Sequence, residues 1–147
     1  MGITLTDEEA DYLIKVEKLC LETKEFKFPF NGGKVVIPLV SKDKKEEFLL
    51  DINRASIDIN KNTFQNRVRK CIKLVRLDLG GAPHRNPDGK EIGTPHIHIY
   101  KNGYEDKFAY ELPEFFLTCK TIKDYFYKFL EYCNVTKKTN IEMGLFV

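Results

Sequence analysis

The chain has 147 residues, 42% of them hydrophobic, which is enough for one core, and a single domain over residues 1–147 is the economical reading. Lys and Arg total 24 against 22 Asp and Glu, and the net charge of +2 does not announce a nucleic-acid binder. The four cysteines are far apart, excluding a zinc ribbon or thioredoxin-like centre, and no leader or apolar run of membrane-spanning length is present, so the chain reads as cytoplasmic with reduced thiols.

In chain order, Thr6 with Glu9 three residues later makes a capping box. Ala10, Leu13, Ile14, Val16 and Leu21 then continue an amphipathic helix to about Glu22. The runs Phe26–Phe30 and Lys34–Val40 flank Asn31-Gly32-Gly33 and read as a β-hairpin, which Pro29 and Pro38 assign to a sheet edge. Strands follow at Glu47–Asn53, Ser56–Asn60 and Phe64–Leu79, with Asn60-Lys61-Asn62 as a turn. Past a histidine-bearing strand, Lys107–Leu112 pairs back across Asn102-Gly103. Thr121, with Asp124 at the third position, caps a second helix whose inner stripe is Ile122, Tyr125, Phe126, Phe129, Leu130 and Cys133. That helix ends near Asn134, and Asn140–Phe146 reads as a last strand. The expectation is an α+β fold: a strongly bent antiparallel β-sheet flanked by an N-terminal and a C-terminal helix.

Charge is uneven along this chain. Arg67 to Arg76 carries five positive side chains and no negative one. If Phe64–Leu79 is one strand, Arg67, Arg69 and Lys73 share a face. That face either binds phosphates or an acidic protein surface, or is simply solvated.

All three histidines fall in one fifteen-residue window, 84–98. In a β-strand, His96 and His98 project from the same face about 7 Å apart. His84, behind a Pro-Asp-Gly turn, can fold back beside them. Gly80, Gly81, Pro83, Pro87 and Asp88-Gly89 stiffen the intervening loop, which suits a site whose ligands are placed before binding. His84, His96 and His98 are therefore candidate ligands of one zinc ion, with Asp78, Asp88, Glu91, Cys71 or Cys119 as candidates for a fourth ligand or a supporting carboxylate. The competing reading has Ile97, Ile99 and Tyr100 buried and the histidines on a solvated face.

The strings Pro83-His84-x-Asn86-Pro87-Asp88-Gly89, Pro95-His96-Ile97-His98-Ile99-Tyr100 and Gly103-Tyr104-x-Asp106-Lys107-Phe108-Ala109-Tyr110 resemble a family of small uncharacterised proteins from low-GC Gram-positive bacteria and their phages. Asp51-Ile52-Asn53-Arg54 and Gln65-Asn66-Arg67 are similar to the same family, which often has Trp where this chain has Phe108. The phage setting implies a counter-defence role, and the chain is similar in size and character to phage inhibitors of CRISPR effector nucleases. This resemblance makes the expected function a metal-containing anti-CRISPR protein that occupies a type II (Cas9-type) effector. Arg67, Arg69 and Lys73 would meet the partner, and the aromatics Tyr100, Tyr104, Phe115 and Phe116 either join them or, for most of the four, pack in the core. The alternative is a small His-dependent ribonuclease or nuclease, toxin-like, with Arg85 or Lys101 steadying the phosphorane. No paired His-x-Ser/Thr motif, His-Asn-His finger or acidic triad supports it.

Overall fold

The computed structural model describes residues 4–29, 32–58, 60–137 and 140–142. Helix α1, Asp7–Lys15, starts at the expected capping box: Thr6 accepts from the Glu9 backbone and Glu9 from that of Thr6. It stops seven residues before the expected Glu22, because Val16 turns extended (ψ 141°) and Lys18 is recruited into a strand. The Lys18 ammonium bends back onto Ile14 O (2.6 Å) and Val16 O (3.0 Å), ending the helix with a cation on its last carbonyls.

The strands are β1 Lys18–Leu19, β2 Glu25–Lys27, β3 Gly33–Ser41, β4 Glu47–Arg54, β5 Asn62–Val68, β6 Ile72–Leu79, β7 His84–Arg85, β8 Glu91–Ile92, β9 His96–Ile99, β10 Ala109–Glu111, β11 Val135–Lys137 and β12 Asn140–Glu142. Helix α2, Ile122–Tyr132, carries the expected Thr121–Asp124 capping box, and Asn134 lies beyond it at φ +55°. Eight strands form one sheet in the order β10-β9-β6-β5-β4-β3-β1-β11. The α+β architecture with a helix from each end is as expected. Its pairings are antiparallel except at the chain ends, where β11 runs parallel to β1 and β12 parallel to β2.

Three expected elements are replaced. The β2–β3 hairpin does not form among the described residues, because β3 finds an eight-residue antiparallel ladder with β4 and β2 instead pairs with β12. Phe30 and Asn31 of that hairpin lie outside the described residues. Pro38 does sit on uncovered edge, since β1 reaches only Val40 and Ser41. The expected strand Ser56–Asn60 does not form among the described residues, where Ile57 is fully exposed; Ile59 lies outside the described residues, as does 143–146 of the last strand.

The long strand Phe64–Leu79 is two strands. They reverse at Arg69 and Lys70, both left-handed (φ 52° and 67°), and Arg67 Nη1 donates to Lys70 O to hold the turn. Such a turn ordinarily calls for Asn or Gly, and no such signal was there to read.

One face of the sheet is apolar. Phe48, Leu50, Ile52, Phe64, Leu77 and Ile97 are buried there against α1 and α2, with Phe28, Phe64 and Phe126 edge to face at 5.2–6.1 Å. The opposite face is polar, a direct result of period-two alternation. Residues Asp51, Gln65, Arg76 and His98 are cross-strand neighbours in one row, and Asn53, Thr63, Asp78 and His96 in the next. Over its β9–β10 end lies the β7–β8 flap. Asn86 anchors this flap, donating through Nδ2 to Ala109 O (2.9 Å) and accepting from Ala109 N at Oδ1 (2.8 Å) on the free side of β10. Among the described residues no helix is long and apolar enough to cross a membrane.

Candidate metal centre

The ladder between β6 and β9 sets Asp78 opposite His96 and Arg76 opposite His98, and the flap lowers His84 onto them. All three predicted histidines meet: the His84 ring lies 4.7 Å from that of His98 and 6.1 Å from that of His96, with 4.9 Å between His96 and His98. They are not solvated. His98 is 0% and His96 2% exposed, because the flap and the 101–107 loop cover the polar face at this point.

Backbone acceptors orient both buried rings. His98 Nδ1 faces Asp106 O (2.8 Å) and His96 Nδ1 faces Gly93 O (3.1 Å), so each Nδ1 carries a proton and each Nε2 turns inward. The two Nε2 atoms lie 3.0 Å (His96) and 3.3 Å (His98) from Asp78 Oδ2. Bonds of about 2.0–2.1 Å at tetrahedral angles put zinc ligands about 3.3 Å apart, and the two distances from Asp78 Oδ2 to the imidazole nitrogens are close to that separation. Asp78, His96 and His98 are the group whose ligand atoms all lie within 4.8 Å of one another. His84 stands beside that group and turns its Nε2 away, to Lys107 O at 2.8 Å.

Arg76 shares the cluster. Its Nε and Nη2 grip Asp78 (2.9 and 3.1 Å), Nη2 also reaches His98 Nε2 (2.9 Å), and Nη1 reaches Asp106 (3.5 Å). Burial alone would raise the Asp78 carboxyl. Contact with the His98 ring and the Arg76 guanidinium overcomes that and holds it far below the ordinary carboxylate range. Beside Asp78 opens a cleft of about 360 Å³ lined by Asn53, Lys61, Thr63, Gln65, Arg76, Asp78, Gly80 and Ala82.

A family model matches residues 5–135, nearly the whole sheet, both helices and every residue of this cluster; its description is a family of unknown function (DUF6978). The chain belongs to that family. No curated protein and no solved structure matches it.

Elsewhere on this DUF6978 member, the structure places the remaining candidates as follows. Asp88 caps the Lys90 backbone, Glu91 pairs with Arg85 at the exposed flap, Cys71 is exposed in the β5–β6 turn and Cys119 lies beside α2. None of them joins the cluster. Arg67 and Lys73 are cross-strand neighbours, whereas Arg69 sits in the turn rather than in a shared strand. Each has an acidic partner: Arg67 makes two bonds to buried Asp51 (2.6 and 2.8 Å), Arg69 reaches Glu46 (2.6 Å) and Lys73 stands 3.9 Å from Asp106. Tyr100 and Phe116 are core residues, while Tyr104 and Phe115 remain about two-fifths exposed. Lys101 lies over the Phe108 ring.

Arg76, Asp51 and Asp106 were missed as members of the polar network. The signal is present in β6, where Arg76 and Asp78 alternate with Leu77 and Leu79; a single strand Phe64–Leu79 with Arg76 counted in the basic stretch Arg67–Arg76 hides it.

Proposed function

We propose that this protein is a non-catalytic binding protein whose Asp78, His96 and His98 hold one zinc ion that ties β6 to β9 beneath the flap, and that it acts by occupying a protein partner. The observation that carries this reading is the enclosure of the two imidazoles. All four of their ring nitrogens face protein atoms, and a general acid or base must instead reach the proton it moves. His96 faces oxygen at both nitrogens, so a cation at Nε2, proton or metal, satisfies the ring. Zinc suits borderline imidazole ligands with one carboxylate, although the same donor set also serves non-haem iron. The resemblance of the histidine strings to phage-borne proteins supports the partner class, a type II CRISPR effector nuclease. Exposed Arg69 and Lys73, with Tyr104 and Phe115, are the surface groups that remain for such contacts.

Elemental analysis of protein purified without a histidine tag tests the centre: about one zinc per chain is expected, lost in His96→Ala and His98→Ala and retained in His84→Ala. Stoichiometric iron, or metal that survives both substitutions, refutes the assignment. Titration against a fixed amount of effector nuclease tests the action. A linear loss of cleavage ending near equivalence is expected. Cleavage of RNA or DNA by trace protein, abolished in His98→Ala, would replace this reading with that of a His-dependent nuclease.

A further inference from the structure

We infer that the cleft where β3, β4 and β5 cross the outer face of the sheet binds a small amphipathic carboxylic acid, with its apolar body over Pro38 and Leu49 and its carboxylate on Arg67 and Lys70. The cleft holds about 660 Å³ and shares no residue with the histidine cluster. It departs from the polar character of the rest of that face. Alternation in β3 and β4 buries Ile37, Leu39, Phe48 and Leu50 on the helix side, and so turns Pro38, Val40 and Leu49 outward. Strands that are apolar on both faces are ordinarily covered on both. Here the outer side opens to solvent as the cleft, with Leu21 half exposed at its margin. A roomy apolar cleft with a few polar groups at one end is the usual form of a small-molecule site.

The chemistry of the occupant follows from the row Pro38, Leu49, Arg67, which the ladders set side by side across the sheet. That row runs from an apolar edge to a cation over two strand spacings, about 10 Å. Arg67 commits Nε and one N–H of each terminal nitrogen to Asp51 and Lys70 O, leaving the second N–H of each on a side chain only 20% exposed. Lys70 lines the same end, and its ammonium has no partner among the described residues. Its backbone is left-handed (φ 67°), where glycine sits without strain, so the turn carries this lysine at some cost. Arg67 and Lys34, 3.8 Å away, already meet the charge of Asp51, so Lys70 leaves this end with positive charge in excess. Glu22 and Glu47 also line the cleft, but both are exposed, keep their water and need no ligand; Glu47 stands opposite Val40, in the next row from Arg67. The part-buried donors are the groups that a ligand satisfies, and a carboxylate matches the paired N–H groups of a guanidinium.

The experiment is an NMR titration of methyl-labelled protein with octanoate below its micelle-forming concentration, with octanol and octylamine as head-group comparisons, in wild type and in Lys70→Gly. Expected are saturable shifts of the Leu21, Val40 and Leu49 methyls that fit one octanoate per chain. Binding should be roughly fivefold weaker for octanol, for octylamine, and for octanoate in Lys70→Gly, and that variant should melt no lower than wild type. If glycine does lower the melting temperature, Lys70→Gln carries the same test without changing the length of the side chain. Absence of saturable shifts at these methyls overturns the inference. Equal binding of octanol overturns it by reducing the cleft to an unselective apolar surface, and tighter binding of octylamine overturns it by assigning the site to cations through Glu22 and Glu47. Equal octanoate affinity in wild type and in a folded Lys70 variant overturns it by placing the carboxylate elsewhere.

Discussion

Lys18 is fully buried, yet its ammonium donates to Ile14 O (2.6 Å), Val16 O (3.0 Å) and Cys133 O (2.7 Å), drawing the C-terminal ends of α1 and α2 onto one charge. In Lys18→Met the methionine fills most of the space, but the carbonyls of Ile14 and Cys133 lose their buried donor; that of Val16 is partly accessible to water. Two orphaned buried acceptors cost about 1–3 kcal/mol each, and we expect a net loss of about 3 kcal/mol, or roughly 10 °C in Tm for a chain of this size. The pH dependence gives a second reading. Burial pulls the folded ammonium from its ordinary 10.5 down to about 8. Between those values the unfolded chain holds a proton that the fold has released, so wild type gains stability as pH rises, by up to about 3 kcal/mol, and Lys18→Met does not. Burial also pushes the Cys133 thiol up to about 12, which costs both proteins stability above the ordinary thiol value of 9.0. The difference between the two proteins therefore isolates Lys18. Urea unfolding from pH 7 to 10.5 measures it; a difference under 1 kcal/mol at pH 7, or one that does not grow with pH, refutes the reasoning.

Arg67→Ala should cost about 3 kcal/mol, since it strips a buried carboxylate of its bidentate partner, whereas Arg69→Gln and Lys73→Gln should stay within about 0.5 kcal/mol; thermal melts of the three separate a structural arginine from surface charges. Burial alone would raise Asp51, but hydrogen bonds from Arg67 and Gln65 bring it below 3.8, so its stabilisation, present above that value, is lost as pH falls through the lowered one, and Asp51→Asn should flatten the acid limb of the stability curve. Gly80→Ala combines φ +75° with a Cβ 2.8 Å from Asn60 O and should lose about 1–3 kcal/mol together with zinc uptake. Gly89→Ala, at φ +87° in open space, should lose about 1 kcal/mol and keep its zinc, so equal effects in denaturant melts would refute the tight contact.

Local signals carried far where they were self-contained. Both capping boxes, the stripe of α2 and the shared face of His96 and His98 could be read from residue spacing alone, because each depends on neighbours within a few positions. What failed depended on partners distant in sequence. Phe26–Lys27 looks equally ready for β3 or for any other extended segment, and it is β12, over a hundred residues later, that pairs with it. The left-handed pair Arg69-Lys70 carries none of the residues that usually mark such a turn; Arg67 and Glu46 hold it through side chains that only the folded sheet brings near. At the centre, the histidines were visible as a pattern, but the choice of Asp78 over Asp88 or Glu91 follows from the register between β6 and β9, which one residue of slippage would have reversed.

The amide of Asn86 occupies the place where a neighbouring strand would dock on β10, satisfying the N–H and C=O of Ala109 with a side chain instead of a backbone. A sheet that ends on an unsatisfied strand is a template for another chain, and self-templating ends in aggregates. This margin is sealed by one residue of the flap that also delivers His84. Loosening the flap would thus expose the polar centre and release a sticky border at the same time, tying the histidine cluster of the protein to its colloidal fate.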